Sequence, residues 1–231
     1  HVLLAGDLYG FYLAPYFLSQ IVAIPLWFKL SARIGKHRAT MVAIFWYALW
    51  SCFIPLIAIA PQVWFDAFEL SQVLSFLPDS WLAGMNAQFE GIPTGKFAFF
   101  IGVMCLKGSA IGALSALPYA MAADVIDLDS VRTGKKQGGA YFSIWTMTRK
   151  LAYALGLVVG TTAATIVGFN SLADPIENPN SMYSLIWLAC LYSIVPAIFK
   201  FVAVPMLWRY PLTEEKLKKI QEDIDSGKQV A

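Results

Sequence analysis

Residues 182–208, MYSLIWLACLYSIVPAIFKFVAVPMLW, form an apolar run broken by a single charge, Lys200. At a helical rise of 1.5 Å per residue such a run is longer than the roughly 30 Å hydrocarbon core of a bilayer. A soluble domain has no use for a helix this long and this apolar on every side. The reading that follows is an all-α, polytopic membrane bundle. Working outward, apolar stretches of spanning length recur at about 140–167, 97–119, 39–60 and 8–28. The pattern therefore predicts five transmembrane helices over residues 1–208. Residues 209–231 are polar, with Leu217, Ile220 and Ile224 on one helical face and Glu215–Lys219 and Lys218–Glu222 spaced four apart. That spacing predicts a short amphipathic surface helix in a cytoplasmic tail.

Composition agrees with the periodicity. The 231 residues are 58% hydrophobic and 14% charged, against about 45–50% and about 25% in soluble domains. Basic and acidic residues number 17 and 15, a balance that argues against a nucleic-acid partner and leaves membrane lipid as the implied surroundings. Cys52, Cys105 and Cys190 sit in apolar runs with no short spacing between them, so neither a metal site nor a disulfide framework is suggested. Both histidines lie outside the spans and no Gly-x-Ser-x-Gly stretch occurs, so no enzyme is predicted. The chain opens on His1 with no basic stretch ahead of the first apolar run, and reads as a fragment without a recognisable signal peptide.

The placement of charge predicts orientation. Lys29, Arg33, Lys36 and Arg38 connect the first two spans, Arg132, Lys135 and Lys136 connect the third and fourth, and Arg209, Lys216, Lys218, Lys219 and Lys228 follow the fifth. The opposite side carries Lys96 alone. Short basic loops are retained in the cytoplasm, so these connectors and the C-terminus are expected there. Residues 61–96, with Trp64, Phe65, Phe68 and Leu70 among Asp66 and Glu69, read as a long outer loop with a short interfacial helix, in a position to act as a lid. Gly102, Gly108 and Gly112 in the third span permit close helix packing.

Four cations, Lys107, Arg149, Lys150 and Lys200, fall inside predicted spans, where each costs about 2.5–3.5 kcal/mol or more at the helix centre. Lys200 lies close enough to Arg209 for its stem to snorkel part of the way out. Arg149 and Lys150 lie near the midplane. Helical spacing puts Trp145 with Arg149, and Thr146 with Lys150 and Tyr153, on two adjacent stripes. No acidic residue lies deep in any span. The cations therefore require helices outside this chain, a water-filled cavity or an anionic ligand, and two readings stay open: structural ion pairs, or a solute site facing a central cavity.

Specific strings carry a family resemblance. Pro25, Leu26 and Trp27, followed by Leu30, Ser31, Arg33, Gly35, Lys36 and Arg38, resemble the cytoplasmic loop between the eighth and ninth helices of the glycoside, pentoside and hexuronide:cation symporters, melibiose permease-like members of the major facilitator superfamily. Leu117 to Met121, Ala123 to Asp127, Thr133 to Lys136, Gly139 and Tyr141 resemble the same family's loop between helices ten and eleven, and Tyr210 to Lys216 its usual ending.

The resemblance implies secondary active symport of a sugar or glycoside, possibly a uronide, by alternating access. A lysolipid carrier of the same superfamily, or a non-transporting membrane interaction protein, is the alternative. The spans would correspond to helices eight to twelve of a twelve-helix protein of the bacterial inner membrane. Its partners would be a small-molecule solute and the missing N-terminal half, which is expected to hold the site for the coupling cation, Na⁺ or H⁺; no other cofactor is implied. Lys150 falls on the family's helix-eleven lysine near the sugar, Thr146 on a polar contact one turn away, with Trp145 and Arg149 flanking. Ser115 stands where a sugar-stacking tryptophan is usual. Asp124 and Asp127 match acidic positions of the cytoplasmic gate, with Arg33 and Lys136 as basic members. Lys136 replaces the usual Arg, and Gly138 a common Glu.

Overall fold

The computed structural model describes residues 9–69, 93–135, 137–174 and 177–209, together with residues 216 and 222. Among the described residues there are α-helices and one 3-10 helix, and no strand. In chain order these are α1 (Tyr9–Ile34), α2 (Lys36–Ser51), α3 (Phe53–Ile59), the 3-10 helix (Gln62–Phe68), α4 (Thr94–Thr133), α5 (Gly138–Ile166) and α6 (Met182–Trp208). Four helical stretches are long and apolar enough to cross a membrane: Tyr12–Ile34, Lys36–Ile59, Thr94–Thr133 and Met182–Trp208. With 29 residues, α5 is long enough at about 43 Å, but Arg149 and Lys150 in its middle reduce its apolarity below theirs. The expected count of five is therefore approximate.

Helix ends follow backbone chemistry rather than hydropathy. Gly35 alone separates α1 from α2, at φ 89°, a left-handed value glycine adopts without a Cβ penalty; residues 29–34, expected in a connector, are helical. The second apolar run divides at Cys52 because Pro55 has no N–H for the carbonyl of Ser51. Helix α4 continues well past Tyr119 to Thr133 and stops at Gly134, at φ 67°. Its 40 residues measure about 60 Å, so its C-terminal turns extend beyond any hydrocarbon layer and carry Asp124 and Asp127 with them.

The centre of the bundle is α4, packed between α1 and α2. A Cβ on Gly108 would lie 2.7 Å from the Tyr16 carbonyl oxygen, and one on Gly112 would lie 2.5 Å from that of Gln20. Those two glycines let the α1 backbone press against α4. On the other side Ala39 and Ala43 of α2 meet Ala113 and Leu117, and Tyr47 and Ala48 meet Ala110 and Ala197 of α6. Helices in lipid gain nothing from expelling water from one another, so close contact and hydrogen bonds carry the association. Two indoles supply such bonds to a single turn of α4: Trp27 Nε1 donates to the Ser109 carbonyl at 2.8 Å, and Trp46 Nε1 to the Leu106 carbonyl at 2.9 Å.

By contrast α5 buries none of its residues. Within residues 61–96 the structure places one short 3-10 helix, which buries Phe65 beneath Gly95 and leaves Val63 and Trp64 exposed. The rest of that loop, residues 70–92, with the suggested lid, lies outside the described residues, as does most of the amphipathic tail.

Candidate functional site

The side chains of α5 divide the site into two faces. Gly139, Phe142, Ser143, Thr146, Met147 and Lys150, spaced three and four apart, line one surface groove of about 560 Å³. Thr146 and Lys150 are both exposed there. The adjacent face turns Trp145 and Arg149 toward α4. The Arg149 guanidinium donates to the Tyr119 hydroxyl of α4 and, at 3.0 Å, to the Tyr153 hydroxyl one turn along α5. It also lies 5.3 Å from the centroid of the Tyr119 ring and 5.8 Å from that of Tyr153, within cation–π range.

Aromatic groups surround this cation. The Tyr119 ring stacks on Phe142 at a centroid separation of 6.3 Å and is tilted against Trp145 at 5.7 Å. The buried Trp145 Nε1 has no hydrogen-bond partner among the described residues. The Trp145 side chain also closes an apolar pocket of about 310 Å³ with Pro118, Met121, Ala122 and Val125 of α4 and Met206 and Leu207 of α6. Ser115 is exposed, one turn before Tyr119 on the same stripe of α4, and its hydroxyl donates to the Gly112 carbonyl at 3.1 Å.

The electrostatics of the face are one-sided. An arginine offers five N–H donors in a rigid fork; two point at tyrosine hydroxyls, and no carboxylate pairs with Arg149 or Lys150 among the described residues. Such a fork, already held across two hydroxyls, suits a planar or tetrahedral oxyanion. The sequence pattern brought Trp145 to Arg149 and Thr146 to Lys150 through spacing on one helix. It missed Tyr119 and Phe142. The available signal for Tyr119 was its four-residue separation from Ser115, which places both on one stripe of α4.

Of the residues expected at a cytoplasmic gate, Asp124 is joined to another element by an ion pair. Lys36 Nζ donates to both carboxylate oxygens of Asp124 at 2.7 Å, joining α2 to α4. Lys36 was not among the gate residues selected from the sequence. The turn at Gly35 starts α2 so that Lys36, Ala39 and Thr40 share the side facing α4, with Ala39 and Thr40 buried. Arg33 is exposed on α1 and Asp127 is half-buried, and neither makes an ion pair among the described residues. Lys136 lies outside the described residues.

Residues 1–214 match the family model of the MFS/sugar transport protein. Among curated proteins, the chain is 29% identical to a glucuronide carrier protein homolog of Escherichia coli K12 over 52% of this chain and 25% of that one. It is 28% identical to a candidate glycoside/cation symporter of the same organism over 57% and 28%. It is 25% identical to a candidate 2,3-dihydroxypropane-1-sulfonate exporter of Salmonella typhimurium over 64% and 31%. The matched region thus spans about a quarter to a third of these relatives' length. No solved structure matches the chain. With the family model covering nearly all of it, this chain belongs to the MFS/sugar transport proteins, among the glycoside, pentoside and hexuronide:cation symporters of the major facilitator superfamily.

Proposed function

We propose that the complete protein is a multi-pass carrier of the bacterial inner membrane that couples uptake of an anionic sugar derivative, a uronide in the first instance, to entry of Na⁺ or H⁺. The observation that carries this reading is the neighbouring Arg149 and Lys150 on adjacent faces of α5, with no carboxylate neutralising either cation among the described residues. Lys150 and Thr146 hold the solute's polar groups, Trp145 offers a ring to its apolar face, and Arg149 receives the carboxylate. Ser115 leaves room on α4 where an indole would fill it. The names of two relatives, a glucuronide carrier protein homolog and a candidate 2,3-dihydroxypropane-1-sulfonate exporter, refer to acidic solutes, which supports this choice.

Transport of this kind asks no covalent chemistry of the protein. Solute and cation binding shift an equilibrium between outward-open and inward-open arrangements around a site near the midplane. The Lys36–Asp124 pair holds α2 to α4 on the cytoplasmic side and, in this reading, stabilises one of those arrangements. A second reading, carriage of a lysolipid or similar amphiphile, is favoured by one observation: the apolar pocket beside Trp145 would accept an alkyl segment.

The test is uptake by cells expressing the complete protein, using labelled uronides, neutral glycosides and lysolipids under imposed Na⁺ or H⁺ gradients, beside a Lys150→Ala variant. Gradient-driven uronide uptake, lost in the variant while the protein still reaches the membrane, is the expected result. Lysolipid uptake alone transfers the assignment to the second reading, and unchanged uptake in Lys150→Ala removes Lys150 from the solute site.

A further inference from the structure

Two further intramembrane cations lie away from the α4–α5 face. Lys107 of α4 is only 3% exposed. Its Nζ stands 4.9 Å from the centroid of the Tyr47 ring of α2 and 4.2 Å from that of Tyr192 of α6. Lys200 of α6 places its Nζ 4.2 Å from the same Tyr47 ring. Two ammonium groups thus share one tyrosine ring.

Among the described residues these groups have no countercharge nearby. No Asp or Glu occurs in α2 or α6, and the first acidic residue of α4 is Asp124, about 26 Å along the helix from Lys107. Neither lysine makes an ion pair or donates to a protein oxygen among the described residues. Ring faces attract a cation, but they do not offset the loss of its hydration or the repulsion from a second cation at close range. Charged groups at this depth pair with something of opposite sign. Lys200 also lines a groove of about 730 Å³ between α5 and α6, beside Tyr153, Gly156 and Pro196, so the cluster has a route to the outside.

We propose that Lys107 and Lys200 bind a small monovalent anion of the halide class, chloride being the probe, between α2, α4 and α6. Depth selects a small ion over a lipid headgroup: Lys107 lies 13 residues into α4 from Thr94, about 20 Å from that end, too deep for a phosphate at the membrane surface. The ion offsets one of the two positive charges and ties α4 to α6 through one shared contact. The two ammonium groups lie between α2, α4 and α6 rather than on α5, and the site does not rest on the transport reading.

The experiment is thermal unfolding of the complete purified protein in detergent, in sodium chloride and in sodium gluconate at equal ionic strength. A saturable rise of the midpoint in chloride of about 2–4 °C is expected, absent in Lys107→Met and diminished in Lys200→Met. Equal midpoints in the two salts overturn the proposal, and would be the result if a carboxylate from elsewhere in the protein neutralised the pair. Should Lys107→Met not fold, chlorine-35 NMR line broadening gives a direct reading on the wild type and on Lys200→Met, whose altered side chain borders the groove. Broadening by the wild type that falls in Lys200→Met supports the site; no broadening, or broadening unchanged in the variant, overturns it.

Discussion

At the scale of single residues, the position of Arg149 depends on two hydroxyls rather than on a carboxylate. Tyr119 and Tyr153 together fix the plane of its guanidinium, leaving the remaining donors of the fork for a ligand. Arg149→Lys keeps the charge but replaces the fork with a point donor. Uronide uptake by this variant is expected to fall by about tenfold or more in kcat/KM, as for loss of one charge-assisted bond, with uptake of a neutral glycoside much less affected. Equal losses for both substrates would show that Arg149 supports the fold instead of reading the acid group. Tyr119→Phe should have a smaller effect in the same direction, because Tyr153 still holds one nitrogen. The Trp145–Arg149 juxtaposition was legible in the sequence because both residues sit on one helix, where spacing determines neighbours. Tyr119 was not, because its contact with Arg149 depends on how α4 crosses α5, which no local pattern encodes.

At the scale of elements, hydropathy located the apolar runs but not the helix ends. A helix stops where its backbone is interrupted or redirected, as at Gly35 and Gly134, whereas hydropathy changes where the membrane ends. The polar residues from Ala123 onward continue α4 in a more polar setting, since an α-helix satisfies its own hydrogen bonds in either medium. The glycine spacing in α4 was legible as a packing signal, although sequence alone did not say which of the glycines is in contact. Gly108 and Gly112 face α1, while a Cβ on Gly102 would meet nothing within 4 Å. Gly112→Val should therefore separate α1 from α4 and lower stability by about 1–3 kcal/mol, the usual range for overpacking. Gly102→Ala should be neutral or slightly stabilising, since alanine is favoured over glycine in a helix by up to about 1 kcal/mol. Thermal unfolding of the two variants checks the pair. A comparable loss in both would mean that the close approach at Gly112 has no special weight.

At the scale of the whole molecule, the least apolar of the long helices decides the topology. If α5 crosses the membrane, the basic segments after α1, α4 and α6 all lie on one side; if it does not, Arg209, Lys216, Lys218, Lys219 and Lys228 are transferred to the side opposite Arg33, Lys36 and Arg132. The second arrangement contradicts the retention of short basic loops in the cytoplasm. It also spares the insertion of Arg149 and Lys150, which together cost about 5–7 kcal/mol if each bears the full penalty at the helix centre. The balance is reset by what those side chains meet after insertion: Arg149 is held by two tyrosine hydroxyls, and Lys150 lines a groove of about 560 Å³ on the adjacent face. Crossing by α5 therefore follows if that face meets the solute path and fails if it meets lipid. Reporter fusions to the complete protein separate the cases. A green fluorescent protein fused after the last residue should fluoresce, alkaline phosphatase inserted in the outer loop near Gly91 should be active, and phosphatase inserted between α5 and α6 after Ser171 should also be active. Activity in the first loop without activity after Ser171, accompanied by a dark C-terminal fusion, would place α5 on the cytoplasmic surface, and with it would go the assignment of Arg149 and Lys150 to a site at membrane depth.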